Sequence, residues 1–354
     1  MSEPSRELQP GLVSVGVPVY NGARYLRQAL DSLLAQDYAQ FEIIISDNAS
    51  EDETESICRE FEARDSRVRY LRTDRNMGPL WNFQRVHELA RGEYFMWAAH
   101  DDLRAPRCLG LCVAALAQHA QAVMCCTDTR FIDEEGRDIS DEFPFQGHHP
   151  TGSTPYERLR QIARSTAWVD IYSLFRTSII GQTRLKSINF WGADVVLVAE
   201  VCLRGEVLAI PEKLLDYRHF RAKTEEIVAA VLSTAGDTVV VSWSDFVAEI
   251  MTSVGLSPLS FTQKLRLKWM LAVELCLRNP SVSWVLGEEG LSAARRALAR
   301  GDYLRSLTLM CIRILNWSGG LGGRMKNSAR YRSGKLKQAL LPGERTSSGR
   351  RPGY

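Results

Sequence analysis

The sequence predicts an α/β protein: a sheet flanked by helices, followed by an α-helical C-terminal region. Two patterns predict it. Over the first 130 residues short β-branched runs alternate with helical patterns, the signature of parallel βαβ units. From Glu225 onward only helical spacing persists. The 354 residues, 45% of them hydrophobic, suffice for a substantial core and suggest about two domains.

The elements follow in order. LVSVGVP (Leu12–Pro18) is a buried strand broken at Tyr20-Asn21-Gly22, and Arg24 to Gln36 sets Leu26, Leu30, Leu33 and Leu34 at helical spacing. FEIIISD (Phe41–Asp47) is a second buried strand. Ser50 and Glu53 match a capping box for a helix running to about Arg64. A short strand (Arg67–Thr73) and a helix (Pro79–Ala90) follow. Then come the strand YFMWAA, a helix (Arg107–His119) and the strand AVMCCTD (Ala122–Asp128). Beyond it stand a hairpin around Gly136, a long loop (Phe143–Pro155) and a helix (Tyr156–Ser165). A strand (Ile171–Phe175), a helix (Asp194–Arg204) and two short strands up to His219 complete this part. Four helices then read roughly as Ile227–Val254, Phe261–Leu277, Leu291–Arg300 and Tyr303–Trp317.

Charge is unevenly placed. Leu321 to Tyr354 carries nine Lys and Arg against Glu344 alone, a net of +8, leaving −6 on the rest of a chain whose formal charge is +2. A basic tail of this kind suits anionic surfaces or a solvated end. The eight cysteines form no C-x-x-C pair, which favours reduced, buried thiols in a cytoplasmic protein. The polar N-terminus lacks the apolar stretch of a signal peptide. Cys108 to Thr127 is uncharged, but Gln118, His119 and Gln121 favour a buried helix and strand over a membrane span.

In an open α/β sheet, ligands gather at the carboxyl ends of the strands. Three strand ends here carry polar groups: Tyr20-Asn21, Asp47-Asn48 and Asp101-Asp102. Neither G-x-G-x-x-G nor a Walker lysine follows the first strand, so dinucleotide and P-loop sites are unsupported. The carboxylates instead offer hydrogen-bond acceptors and a place for a hard divalent cation, which takes one or two carboxylates plus substrate phosphates.

In order and at the expected spacing, VSVGVPVYNGARYLRQALDSLLAQDY, EIIISDNASEDET, NMGPLWN and ARGEYFMWAAHDD resemble the nucleotide-sugar domain of the family 2 glycosyltransferases. The likeness is strongest from Leu12 to Asp102 and continues more weakly to Tyr217-Arg218-His219. It implies the GT-A fold, a Rossmann-like mixed sheet flanked by helices. It divides the chain into a tail (1–11), a nucleotide-sugar-binding half (12–130), an acceptor-side half (131–222), a helical region (223–338) and a basic disordered tail (339–354).

The resemblance also implies roles. Pro18, Tyr20 and Asn21 fall where the family's first loop meets base and ribose, and Asp47 on the acid that accepts a hydrogen bond from a pyrimidine. That favours uridine or thymidine donors. Arg75 frames the base pocket. Asp101 falls on the second acid of the D-x-D motif, whose first acid is Ala99 here and whose middle position is His100. The implied cofactor is a divalent cation, Mn²⁺ or Mg²⁺, with Asp101 and His219 as protein ligands. His100 is a candidate for phosphate, ribose or metal, or a simple turn residue. Asp102 either meets the ribose, supports Asp101 or caps the turn. Asp194 resembles the catalytic base, with Ala193 where the family has Glu, and is equally a helix N-cap. Trp191 beside it is the acceptor-platform candidate. Arg218 is the candidate for the diphosphate, or else a strand terminus.

The expected partners are a nucleotide-diphosphate sugar and a glycan or lipid-linked acceptor. Nucleic acid is not expected, because no aromatic-interleaved basic patch accompanies the tail. Arg305–Gln338 mixes an apolar helix with basic residues, consistent with peripheral contact at the inner face of a membrane or with packing on the catalytic domain. A catalytically silent nucleotide-binding subunit and a membrane scaffold are the competing readings.

Overall fold

A computed structural model describes residues 7–143, 149–165, 168–185, 192–220 and 243–277. Its centre is an eight-stranded mixed sheet: β1 (Gln9–Val19), β2 (Phe41–Asp47), β3 (Val68–Arg72), β4 (Gly92–Trp97), β5 (Leu103–Arg104), β6 (Ala122–Ile132), β7 (Leu174–Arg176) and β8 (Glu206–Arg218). The spatial order is β3-β2-β1-β4-β7-β6-β8-β5. β3, β2, β1 and β4 are mutually parallel; β7 runs antiparallel between β4 and β6, and β5 antiparallel on the far edge of β8.

The sheet has two apolar faces because successive strand residues point to opposite sides. Val13, Val15, Val17, Ile43, Ile45 and Met96 meet helices α1 (Ala23–Leu34), α2 (Thr54–Arg64) and α4 (Cys108–Gln118). Ile44, Phe95, Trp97 and Phe175 face α3 (Pro79–Leu89), α5 (Pro155–Ser165), α6 (Thr177–Ile180) and α7 (Ala193–Cys202). Gly16 allows α3 to lie close on β1: a Cβ there would stand 2.7 Å from Val86 and 2.8 Å from Phe95. Helices α8 (Trp243–Leu256) and α9 (Phe261–Leu277) join the second core through Val247, Met251, Val254, Leu267 and Leu271. A polar clasp locks α8 to α7. Arg184 donates to Glu200 Oε1 at 2.6 Å, to Glu249 Oε2 at 2.8 Å and to Ser253 Oγ at 2.8 Å.

Several local expectations change. The two short strands before His219 are one strand, β8, whose register with β6 shifts three times along its length. β6 itself runs on to Ile132, where the alternation Thr127–Ile132 continues the pairing. The strand expected at Ile171–Phe175 is a 3₁₀ turn (Trp168–Tyr172) leading into β7, closed by the Ser173 N–H donating to the Asp170 carbonyl. The Ser50/Glu53 capping box does not form. Ser50 Oγ accepts the Asn21 N–H instead, and Asp52 Oδ1 accepts the Thr54 N–H at the start of α2. The expected hairpin around Gly136 is present, with Ile132 bridging Asp138. Cys58, Cys108, Cys112, Cys125, Cys126 and Cys202 are buried and free of disulfides. The boundary near Lys223, the helices expected at 291–300 and 303–317, and the basic tail lie outside the described residues.

Candidate active site

The sheet grows in one direction from β1 through β2 to β3 and in the other through β4, so β1 and β4 mark the point where the strand order reverses. Ligands of open α/β sheets sit in the crevice at such a point. Here the crevice has a visible cause. β1 and β4 stay paired to Gly16 and Trp97, and the Ala98 N–H still donates to the Gly16 carbonyl at 2.9 Å. Beyond that, β1 continues with β2 to Val19 and Asp47, whereas the other chain swings away toward β5. Pro18 sits buried on this last stretch, past the end of β4 pairing, where its missing N–H costs no ladder bond on that side.

The loops after β1 and β4 therefore flank the opening. Tyr20 is 41% exposed at its lip. Asn21 adopts a left-handed conformation (φ 51°), and its Oδ1 accepts the Glu51 N–H at 2.8 Å, which ties this loop to the one after β2. His100 lies directly on Gly22: a Cβ at Gly22 would be 2.7 Å from the imidazole Cδ2. Glycine at position 22 lets the two loops touch across the crevice.

Asp47 is engaged within the fold. It is wholly buried, and its carboxylate is already occupied by protein donors. Oδ1 accepts from the Ser50 N–H at 2.8 Å, and Oδ2 from the Tyr70 hydroxyl at 2.7 Å and Arg72 at 2.9 Å. In this geometry it anchors the turn after β2. Its neighbour Asn48, unremarked as a site residue in the sequence, holds the next loop by donating to Asn76 Oδ1 and accepting from the Met77 N–H. Arg75 is exposed and lines an open cleft of about 470 Å³ with Arg72, Met77, Trp81 and Arg85. Arg85 stacks over Trp81 at 5.2 Å, and burial without a carboxylate partner lowers its pKa.

The acids after β4 divide their labour. Asp102 is 5% exposed; its Oδ1 accepts the Arg218 N–H at 2.8 Å and its Oδ2 is buried without a hydrogen-bond partner. Burial, and then repulsion from Asp101, push the Asp102 carboxyl well above the usual range. Asp101 is half-buried, and its carboxylate takes no hydrogen bond or ion pair from the described residues. One free carboxylate beside one orphaned acceptor is a donor set that fits a hard divalent cation completed by phosphate oxygens.

Arg218 is likewise engaged within the fold. It is 4% exposed, with Nε donating to the Asp101 carbonyl at 2.9 Å and Nη1 to the Asp133 and Glu134 carbonyls at 3.0 and 3.2 Å. The guanidinium lies over the Tyr25 ring at 4.4 Å. In this geometry it fixes the acidic loop. His219 follows at the strand end, half-buried, with its N–H donating to the Ile132 carbonyl and its ring against Phe143 at 5.0 Å.

Asp194 opens α7 after Gly192, which takes a left-handed conformation (φ 93°). Its Oδ1 accepts the adjacent Val195 N–H at 2.8 Å, and burial raises its pKa. Tyr172, which no sequence motif signals, links the two groups of acids. Burial first, then Tyr217, Asp102, Asp101 and Asp194 in turn, raise its phenol pKa. All three carboxylates thus lie within electrostatic reach of one hydroxyl. Arg104 holds this turn by donating to the Tyr172 carbonyl at 2.7 Å. Trp191 lies outside the described residues.

Elsewhere, Cys126, His149 and Asp170 place one donor atom each within 4.8 Å of one another. His149 is bridged there between Asp170 (Nδ1, 2.8 Å) and Asp128 (Nε2, 3.2 Å), which satisfies both ring nitrogens.

A Rossmann-like sheet with an acidic loop at its point of strand reversal is the arrangement expected from the sequence resemblance. Residues 14–179 match the model of "Glycosyl transferase family 2". An uncharacterized glycosyltransferase of Rickettsia typhi is 41% identical over 95 residues, 27% of this chain and 29% of its own length. Glycosyltransferase GlyG of Streptococcus pneumoniae is 36% identical over 92 residues, 26% of this chain and 31% of its own. Chondroitin synthase of Escherichia coli is 31% identical over 132 residues, 37% of this chain and 19% of its own. The chain thus matches less than a third of these relatives' length. Among solved structures, S. aureus TarS 1–349 in complex with UDP-GlcNAc superposes with a TM-score of 0.55 at 16% identity, over 86% of this chain and 90% of TarS 1–349, which establishes the shared GT-A fold. No helix among the described residues is long and apolar enough to cross a membrane.

Proposed function

We propose that the chain is an inverting glycosyltransferase that moves a sugar from a UDP- or dTDP-sugar to a hydroxyl of a glycan or lipid-linked acceptor in surface polysaccharide synthesis, working at the cytoplasmic side. The observation that carries this reading is the half-buried Asp101 carboxylate, which takes no hydrogen bond from the described residues, beside the buried and unpartnered Asp102 Oδ2 at the end of β4. The likeness to chondroitin synthase supports the glycan acceptor.

The residues divide the chemistry. Tyr20, Asn21 and His100 line the crevice for the nucleotide, and the free carboxylate of Asp101 serves its diphosphate end. A divalent cation held by Asp101, with His219 as the candidate second ligand, supplies charge neutralisation for the departing nucleotide. Asp194, its carboxyl pushed up by burial, takes the proton as the acceptor oxygen attacks the anomeric carbon. Attack opposite the leaving diphosphate inverts the centre.

The test is nucleotide release from a panel of UDP- and dTDP-sugars with Mn²⁺ or Mg²⁺. Release that vanishes in Asp101→Asn and in Asp194→Asn supports the enzyme. Nucleotide binding without turnover on every donor and acceptor assigns the chain instead to a silent subunit, the reading that Ala99 and Ala193 favour.

A further inference from the structure

Six large hydrophobic side chains are exposed among the described residues. Two of them, Tyr20 and Met77, stand at the donor crevice and its neighbouring cleft. The other four sit together at the far end of the described chain: Leu256 (58% exposed) closes α8, and Phe261 (79%), Leu265 (62%) and Trp269 (60%) lie on α9.

The three on α9 recur every fourth residue, so they form one stripe along the helix. The stripe is not the side on which α9 is packed, because Leu267 and Leu271, 4% and 0% exposed, carry that contact with the core. α9 therefore has two apolar faces, one used and one bare. Over its first three turns, before Glu274, its charges have a single sign. From Ser257 to Val273 the sequence holds Lys264, Arg266 and Lys268 and no acid, on a body that is otherwise net negative. Lys264 and Lys268 fall on one side of the stripe and Arg266 on the other.

An apolar stripe of Phe, Leu and Trp rimmed by cations has the composition of a helix lying in a membrane interface, with its rings among acyl chains and its cations at the headgroups. A solvated helix would not expose three large apolar groups in register. A protein partner recognised through charge would need acids, and a second copy of this face presents the same cations and would be repelled.

We propose that the α8–α9 corner, through Leu256, Phe261, Leu265 and Trp269, seats the protein on an anionic lipid surface. This rests on the transferase reading only in its purpose, which is to bring the crevice to an acceptor carried by lipid.

The experiment is flotation of the full chain with vesicles of phosphatidylcholine, with and without phosphatidylglycerol, comparing wild type with Leu265→Glu/Trp269→Glu and with Lys264→Gln/Arg266→Gln. Wild type should float with the anionic vesicles and be released by salt. The charge variant should bind about fivefold more weakly for each cation removed. The apolar variant should lose binding while its melting temperature and its nucleotide release from a soluble assay stay unchanged.

Three results overturn the proposal. In the first, wild type ignores anionic vesicles, or binding survives the apolar variant. In the second, the apolar variant breaks a concentration-dependent dimer, which assigns the face to a second copy. In the third, its melting temperature falls, which assigns the face to packing within the chain. Absence of nucleotide release with intact flotation would sink the transferase reading and leave the lipid surface standing.

Discussion

Arg218 gives its backbone N–H to Asp102 Oδ1 at 2.8 Å and its Nε–H to the carbonyl of Asp101 at 2.9 Å. One residue at the end of β8 thereby fixes both acids of the loop after β4, and the hairpin carbonyls of Asp133 and Glu134 hold its guanidinium from the other side. Removing it should leave several buried acceptors unpaired. Arg218→Ala should cost about 2–4 kcal/mol in denaturant unfolding. Arg218→Lys should recover little of that, because an ammonium cannot serve carbonyls on two sides at once. Nucleotide affinity measured in the remaining folded fraction should fall less than stability does. A loss confined to nucleotide affinity, with stability intact, would return Arg218 to the diphosphate.

Asp47 makes the same point at the end of β2. With Ser50, Tyr70 and Arg72 already on its oxygens, its main work is to hold the turn. Asp47→Ala should destabilise the fold by about 2–4 kcal/mol. The preference between uridine and cytidine diphosphates, read by competition binding in the folded protein, should stay as it is. A switch in that preference would show that the buried carboxylate does reach a base.

For Asp194 the raised pKa sets a pH profile. A general base works only when ionised, so turnover should climb as pH rises through the Asp194 pKa, and the acidic limb should lie above the usual carboxylate range. Asp194→Asn should lower turnover by about 10²–10⁴-fold and remove that limb, with little change in the KM for donor. An unaltered acidic limb in the variant would reassign it to another group.

How much of this was legible in the sequence depended on the range of the interaction. The strands and helices up to Asp128 were readable because the unbroken apolar run Ile43 to Ile45 and the spacing of Leu26, Leu30 and Leu33 report their own burial. The crevice was readable because strand ends are local. The orientation of Arg218 and Asp47 was not, since their partners stand 117 and 25 residues away in the chain and only the folded sheet brings them together. Tyr172 was hidden for a related reason: it lies in an apolar run that reads as strand, and Asp170 turns that run into a 3₁₀ bend. The bare stripe on α9 has ordinary helical periodicity, so the sequence could not separate its packed face from its exposed one.

Glu42 offers a test of stability remote from the crevice. It is 4% exposed near the opposite end of the sheet, where it accepts from Ser14 Oγ at 2.7 Å and from the Arg91 N–H and Nε at 3.0 Å. Burial alone would raise its pKa, but the bonds from Arg91 and Ser14 outweigh it and the folded-state value is lowered. A group with a depressed folded pKa binds its proton more readily when unfolded. Its stabilisation is therefore present above the unfolded value and drains away as pH falls through the folded one. Glu42→Gln should cost about 1–2 kcal/mol at neutral pH, the Arg91 partner being half exposed to water. The gap to wild type should close as pH falls below the ordinary glutamate range, read from urea midpoints. Nucleotide release should be unaffected, because Glu42 ties β1, β2 and β4 together at the end away from Asp101. A gap that persists at low pH would mean that Glu42 stabilises by packing, and not by its charge.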